Sequence, residues 1–208
     1  AVPAREVHAA VAALPGPPRL LSLDPACLED VLQDILRVGE AVGVAARARE
    51  AVAGLRRRIE AVRARTAEVT HRPRVVCLEW LDPPMVAGHW VPEMVALAGG
   101  RDALGEAGAP SRRVAWEEVV AARPEVLVLM PCGFDVARTR AEGRLLEALP
   151  GWSELPAVRD GRVWAVNAHA YYSRSGPRLV DGLEVLAEVL HPARVRGFVR
   201  PEAAARVS

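Results

Sequence analysis

Residues 126–135 read VLVLMPCGFD, a continuous apolar run that stops abruptly at a proline and a glycine. An apolar run without alternation, bounded by turn residues, is typical of a strand buried on both faces. We therefore predict a strand over Val126–Met130. Two further runs, RVVCL at 74–78 and RVWAV at 162–166, share the pattern and predict neighbouring strands.

Helical segments separate these strands. Apolar periodicity and terminal signals, such as Gly99-Gly100 after the first segment, predict helices over 89–98, 116–122, 136–148 and 179–190. Continuous apolar strands that alternate with helices indicate an α/β fold with a parallel sheet covered on both faces. The residues after Pro192 are rich in Arg and Ala, and we expect them to fray.

The first 70 residues have a different organisation. They predict a helix over 3–13, a short strand over Arg19–Leu23, a helix over 27–41 and one long helix over 44–69. One strand cannot build a sheet of its own, so either it joins the later sheet or the chain starts partway through a domain, and we favour the second interpretation. The long helix carries one narrow apolar stripe, which suits a strut packed on one side.

Several function classes are disfavoured by composition. The formal net charge of +1 gives no general reason to expect nucleic acid. Three cysteines without a C-x-x-C pair predict neither a disulfide framework nor a zinc site. No apolar run is long enough to span a membrane, and no signal peptide opens the chain, which a truncated start would explain.

Three unusual loops follow the predicted strands, at 78–90, 130–135 and 167–178. Right-handed crossovers bring the carboxyl ends of parallel strands to one edge of the sheet, where ligands bind. The loops hold five of the nine aromatic residues of the chain, Trp80, Trp90, Phe134, Tyr171 and Tyr172. Trp80 could instead pack a proline turn, and Trp90 could belong to the core. If the backbone at Tyr171 and Tyr172 is extended, only one of these adjacent tyrosines can face inward.

Acidic residues in the loops leave a catalytic alternative open. Glu79, Asp82, Asp135, His169 and Arg174 could in principle form an acid/base set. The sequence nevertheless lacks a nucleophile elbow, a P-loop, a dinucleotide fingerprint and a zinc motif. His89 and His169 are not paired at metal-ligand spacing. We therefore expect no enzyme, no catalytic residues and no metal site.

Four strings carry a family resemblance. They are LSLDPACLEDVLQDILRVGEAVG, CLEWLDPPMVAGHWVPEMVALAGG, SRRVAWEEVVAARPEVLVLMPCGFD and YYSRSGPRLVDGLEVLAEVLHP. Together with the long helix, they resemble the cobalamin-binding branch of the class III substrate-binding proteins of ABC transporters. In that family two α/β lobes are joined by one rigid helix.

The resemblance implies a division of the chain. Residues 1–43 would be the remnant of an N-terminal lobe, 44–70 the interlobe helix, 71–192 the C-terminal α/β lobe and 193–208 a tail. The expected fold is thus a parallel-sheet α/β lobe joined by one long helix to a partial second α/β lobe. Most of the N-terminal lobe, with its own cleft residues, would be absent.

The resemblance also implies a function. Cobalamin or another corrinoid would bind in the interlobe cleft as a transported ligand, with no intrinsic cofactor. The expected ligand-binding residues are Glu79, Trp80, Asp82, Phe134, Tyr171, Tyr172 and Arg174. Glu117 would dock an arginine of an ABC permease, although it could equally only stabilise its helix. The location would be periplasmic or extracytoplasmic, with membrane association only through the permease.

Two alternatives stay open. Relatives have an aromatic residue where this chain has Glu79-Trp80, so the ligand could be heme or a ferric siderophore. In that case Tyr171 or Tyr172 could supply a phenolate to iron. The third possibility, from another class, is an enzyme that uses the acidic residues of the cleft.

Overall fold

The computed structural model describes residues 4–12, 14–16 and 18–207, and one mixed sheet lies at its centre. The strands are β1 Arg74–Leu81, β2 Pro84–Val86, β3 Arg101–Asp102, β4 Arg112–Arg113, β5 Val126–Leu129, β6 Val163–Val166 and β7 Ala204–Arg206. They run in the order β4-β2-β1-β5-β6-β7, and β3 pairs with the start of β1. Strands β3, β1, β5 and β6 are parallel, which confirms the prediction for the centre, whereas β2, β4 and β7 add antiparallel pairs.

The helices surround this sheet. They are α1 Ala4–Ala12, α2 Leu28–Ala41, α3 Ala45–Thr66, α4 Val91–Leu97, α5 Trp116–Ala122, α6 Val136–Gly143, α7 Pro156–Arg159, α8 Ala168–Tyr171 and α9 Leu179–Leu190. The predicted helix over 136–148 is split into α6 and a 3-10 turn over Arg144–Ala148. The helix predicted from His89 begins at Val91, because His89 has a left-handed φ of 51° that no α-helix accommodates.

Side chains of the central strands alternate between two hydrophobic clusters. Val75 and Cys77 of β1 face a cluster that contains α4 and α9 residues. Val76 and Leu78 face the opposite cluster, with residues from α5, α6 and α7. All four residues of β5 are buried. The sheet is therefore covered on both faces, as a continuous apolar strand requires.

The long helix α3 is attached along one side. Its residues Val52 and Leu55 share a small cluster with Leu32 of α2 and Val180 of α9. At its end, the Thr66 hydroxyl donates a hydrogen bond to the Leu97 carbonyl, at 2.8 Å. The 22 residues of α3 span about 33 Å at 1.5 Å per residue. This agrees with the expected strut packed on one side.

The strand predicted over Arg19–Leu23 is wrong. Residues 18–26 have no regular secondary structure, and Leu20 and Leu23 are exposed. A strand needs a hydrogen-bonding neighbour, and the sheet of the described residues runs from β4 to β7 without this segment.

The expectation that the chain frays after Pro192 is also wrong. Strand β7 pairs antiparallel with β6. The Glu188 carboxylate accepts hydrogen bonds from the backbone of Phe198 at 2.6 Å and Val199 at 2.7 Å, which anchors the connecting segment. Of the helices in the described part of the chain, none combines the length and the apolar character that crossing a membrane requires.

Candidate ligand-binding site

A cavity of about 150 Å³ opens at the carboxyl edge of the parallel strands, where the three predicted loops meet. It is lined by Glu79, Gly88, His89, Trp90 and Val91 of the first loop and the start of α4, by Met130 and Cys132 of the second loop, and by Tyr172 and Ser173 of the third. The predicted convergence of the loops is therefore confirmed. A volume of this size holds a few waters or one small side group of a ligand.

The acidic part of the cavity is built by Glu79, near the end of β1. Its Oε2 accepts a hydrogen bond from the Ser111 hydroxyl at 2.7 Å, and the same hydroxyl oxygen accepts the Gly88 N–H at 3.1 Å. A Cβ at Gly88 would lie 2.3 Å from the Ala109 carbonyl oxygen, so this position has no room for a side chain. Close backbone packing thus fixes where the carboxylate lies.

His89 and Trp90 form the next part of the wall. The His89 N–H donates to the Ala109 carbonyl at 2.6 Å, and its own carbonyl accepts the Gly108 N–H at 3.0 Å. These two bonds hold the left-handed backbone of His89. The Trp90 indole N–H donates to the Tyr172 carbonyl at 3.0 Å, which ties the first loop to the third.

Phe134 of the second loop and Trp80 of the first loop form an aromatic group. Phe134 is buried, and Trp80 meets its ring edge-on with 5.5 Å between centroids. The Arg138 guanidinium lies 3.6 Å from the Phe134 centroid, a cation–π distance. Trp80 remains 38% exposed and donates its indole N–H to the Asp82 carbonyl at 3.0 Å. Trp80 is therefore the solvent-exposed part of this aromatic group.

The third loop contains one inward and one partly exposed tyrosine. Tyr172 is buried, and its hydroxyl donates to the Gly182 carbonyl at 2.8 Å. Burial raises the pKa of Tyr172 well above its usual value, so its phenol stays protonated. Tyr171 is half-buried and Arg174 is exposed. The condition for the expected alternation, an extended backbone, is not met, because Tyr171 ends the helix α8. Tyr172 is fully inside the core cluster, and the half-buried Tyr171 packs against it.

The structure brings together only part of the predicted set of binding residues. Glu79 and Tyr172 line the cavity, and Trp80 and Phe134 form the adjacent aromatic group. Asp82 and Arg174 are exposed outside the cavity lining. The prediction omitted seven of the nine lining residues, among them His89, Trp90, Cys132 and Ser173. The GHW string at 88–90, inside the first loop, was the signal for His89 and Trp90.

The cavity and its surroundings differ from a metal centre. Within the described ranges, no group of three His, Cys, Asp or Glu side chains is arranged to hold a metal ion. The lining is mostly apolar, with one carboxylate, one imidazole, one thiol and the hydroxyl of Ser173. Such a surface can hold an organic ligand through packing and a few polar contacts.

The fold is thus an α/β lobe attached to one long helix, with a cavity at the carboxyl edge of its parallel strands. The chain belongs to the periplasmic binding protein family, whose family model matches residues 6–170. This assignment confirms the resemblance in fold to the class III substrate-binding proteins.

Similarity to individual proteins is partial. The vitamin B12-binding protein of Vibrio cholerae is 28% identical over 134 residues, which cover 62% of this chain and 45% of that protein. The chain thus spans about half the length of this curated relative. An uncharacterized ABC transporter substrate-binding lipoprotein of Bacillus subtilis is 37% identical over 68 residues, covering 33% of this chain and 21% of that protein.

Among solved structures, a periplasmic heme-binding protein from Roseiflexus sp. RS-1 in apo form superposes with a TM-score of 0.75. It is 30% identical, and the match covers 93% of this chain and 73% of that chain. The relatives named here are described as binding proteins.

Proposed function

We propose that this chain is the solute-binding component of an ABC importer and that its ligand is cobalamin or a related corrinoid. The observation that carries the proposal is the cavity at the carboxyl edge of the parallel strands, built jointly by three loops. Ligands of open α/β sheets bind at this edge. Similarity to a vitamin B12-binding protein and to an ABC transporter lipoprotein supports the ligand and the transport role.

The position of Trp80 and Phe134 beside a small cavity favours a ligand with a flat and bulky ring. The cavity is too small for a whole macrocycle, since sites that enclose drug-sized ligands have roughly 300–1,000 Å³. A macrocycle would lie over the exposed face of Trp80, beside Phe134, with one side group in the cavity. Such an arrangement leaves the other side of the ring for a facing wall.

Heme is the second candidate, because the heme-binding relative matches 93% of this chain at 30% identity. The Tyr172 phenol is an unsuitable iron ligand, since its hydroxyl is buried and bonded to Gly182. Tyr171 is half-buried and is the tyrosine that would have to supply the phenolate. Heme binding should therefore depend on Tyr171, whereas corrinoid binding should not.

We also propose that residues 1–43 belong to a second lobe. Six of the eight exposed large hydrophobic side chains of the described residues lie in this region or next to it, namely Leu14, Leu20, Leu23, Val38, Val42 and Val44. The rest of such a lobe would cover them. Hydroxyl-radical footprinting should then show lower oxidation of Leu20 and Leu23 in a longer, two-lobed chain than in this one, and equal oxidation would contradict the assignment.

The partner would be an ABC permease, and the location extracytoplasmic. Glu117 is exposed in the first turn of α5, while its neighbour Glu118 is held by Arg112 and by the Ala115 N–H. Glu117 is thus the carboxylate that remains available for docking. Glu117→Arg should reduce uptake by the reconstituted importer, whereas Glu154→Arg should not; equal uptake by both variants would remove the docking role.

Equilibrium dialysis against cyanocobalamin and against hemin tests the ligand assignment. We expect cyanocobalamin to bind with weak but saturable affinity, because one wall desolvates a ligand only partly. Trp80→Ala should weaken this binding, and Leu145→Ala, at another exposed hydrophobic side chain, should leave it unchanged. Binding of hemin alone, lost in Tyr171→Phe, would replace the corrinoid proposal by the heme alternative.

A further inference from the structure

The carboxylate of Glu79 is the one acidic group among the nine residues that line the cavity. Its orientation is fixed, because Oε2 accepts the Ser111 hydroxyl, which is itself held by the Gly88 N–H. Within the described residues, Oε1 accepts no hydrogen bond from the protein and Glu79 forms no ion pair. One oxygen of a fixed carboxylate is therefore left for a ligand.

The groups around Oε1 of Glu79 determine which ligand groups this oxygen can accept. Trp90, Val91, Met130 and the ring of Tyr172 give the cavity a largely apolar wall, and no arginine is among its lining residues. A carboxylate in such surroundings gains free energy from any hydrogen-bond donor that replaces water. A second carboxylate would instead meet like charge at short range, in a medium that screens charge less well than water.

The size of the cavity fits one side group. A volume of about 150 Å³ corresponds to a few water molecules or one short amide-bearing arm. The macrocycle itself would stay outside, at Trp80. Glu79 would therefore contact one peripheral substituent of the ligand and not its ring.

We infer that Glu79 is a specificity-determining residue, which accepts a hydrogen bond from an uncharged amide N–H of the ligand and rejects ligands that place a carboxylate there. This inference rests on the proposed function, since it concerns the same site and ligand class. Corrinoids with peripheral carboxamides satisfy Glu79, and tetrapyrroles with propionates do not. Discrimination then comes from an attractive contact and a repulsive one together.

Two corrinoids with the same ring test the inference, dicyanocobinamide with carboxamide arms and dicyanocobyrinic acid with carboxylate arms. The selectivity ratio is the ratio of their dissociation constants, measured by equilibrium dialysis. The unmodified chain should bind the amide form about ten- to a hundred-fold more tightly, the range expected for one hydrogen bond to a charged group. Glu79→Gln keeps the shape and removes the charge, and should lower the ratio about tenfold.

Two further variants separate the effect of the Glu79 charge from the effects of cavity shape and of the overall net charge of the chain. Glu154→Gln removes one exposed negative charge outside the cavity lining, and its selectivity ratio should equal that of the unmodified chain. Ser111→Ala keeps the Glu79 charge but removes its hydrogen-bonded support. It should weaken amide binding and still disfavour the carboxylate form.

The outcomes are distinct. An unchanged ratio in Glu79→Gln, or equal affinity of the unmodified chain for both corrinoids, would overturn the role of Glu79 and leave corrinoid binding standing. Loss of selectivity in Ser111→Ala equal to that in Glu79→Gln would also overturn it, because shape would then explain the preference. Failure of the folded chain to bind either corrinoid would overturn both the inference and the proposed function.

Discussion

Arg58, in the middle of α3, donates hydrogen bonds to both carboxylate oxygens of Glu184, a residue 126 positions further along the chain in α9. The two distances are 2.9 Å and 2.5 Å, and a third bond goes to Asp181. The Glu184 side chain is only 11% exposed. Hydrogen bonding to Glu184, the strongest influence, raises the pKa of Arg58. This cluster attaches the long helix to the α/β lobe.

Arg58→Met should lower the free energy of unfolding by about 1–3 kcal/mol, because it leaves the mostly buried Glu184 carboxylate without its charged donor. Arg63→Met is the matched control on the same helix. The Arg63 Nη1 and Glu60 Oε2 atoms are 4.0 Å apart, and both side chains are 69% exposed. This pair should therefore contribute about 0–1 kcal/mol to the free energy of unfolding. Urea unfolding followed by tryptophan fluorescence measures both values, and equal effects would refute a stabilising role of the cluster.

Stability should depend on pH through Asp102. Burial, the largest influence, raises its pKa above the ordinary 3.8, although hydrogen bonds from Gly105 and Leu104 act in the opposite direction. The Oδ2 atom is buried without a hydrogen-bond partner in the described structure. Because the folded state binds this proton more tightly, the contribution of Asp102 is fully present below the unfolded pKa and is lost as pH rises through the folded pKa.

Asp102→Asn should remove that component. The free energy of unfolding of the variant minus that of the unmodified chain should therefore increase over a pH interval that starts at about pH 4, near the unfolded pKa, and ends above the raised folded pKa. Urea unfolding at several pH values in this interval gives the difference. A difference that stays constant across the interval would show that Asp102 is not perturbed in the folded state.

Gly88→Ala should destabilise the loop that positions Glu79. The new Cβ would lie 2.3 Å from the Ala109 carbonyl oxygen and 2.6 Å from the Ser111 nitrogen, both in the backbone. Overpacking of this kind costs about 1–3 kcal/mol. Gly176→Ala is the control, since a Cβ there meets nothing within 4 Å. The unfolding midpoint should be clearly lower for Gly88→Ala than for Gly176→Ala. Equal midpoints would show that the loop at Gly88 shifts to accommodate the new Cβ at little cost.

Tyr172→Phe should lower the free energy of unfolding by about 0.5–1.5 kcal/mol, because it removes the buried hydrogen bond from the Tyr172 hydroxyl to the Gly182 carbonyl. Tyr171→Phe, at the half-buried neighbour, should have a smaller effect. Cyanocobalamin binding by Tyr172→Phe should remain, since the hydroxyl points away from a ligand. Loss of binding without loss of stability would show that the Tyr172 hydroxyl, and not only its ring, contacts the ligand.

Much of the architecture follows from local signals. The bounds of α5 and α9 match the sequence prediction, because helix-forming periodicity and first-turn carboxylates mark them. The meeting of the three loops follows from parallel strands, whose carboxyl ends share an edge. The helix bounds depend on short stretches of sequence, and the meeting of the loops depends on the rule that the carboxyl ends of parallel strands share an edge.

The remaining features depend on contacts between distant residues. Ser111, which holds the Glu79 carboxylate, is 32 residues away in sequence. The strand β7 has an alanine-rich sequence and forms because β6 offers an open edge. The inward orientation of Tyr172 depends on the Gly182 carbonyl, and the segment over 19–23 lacks the neighbour that would make it a strand. No local pattern contains this information.

The central claim is that the three-loop edge is one wall of a ligand site. Its most direct test is a ¹H–¹⁵N titration of the chain with dicyanocobinamide, followed on the tryptophan indole N–H signals and assigned by single Trp→Phe variants. Trp80 and Trp90 lie at the site, whereas Trp116 and Trp152 stack on each other in the cluster behind the opposite face of the sheet. We predict saturable shifts of the Trp80 and Trp90 signals with those of Trp116 and Trp152 unchanged. No shift at saturating ligand, or equal shifts of all four signals, would contradict the claim.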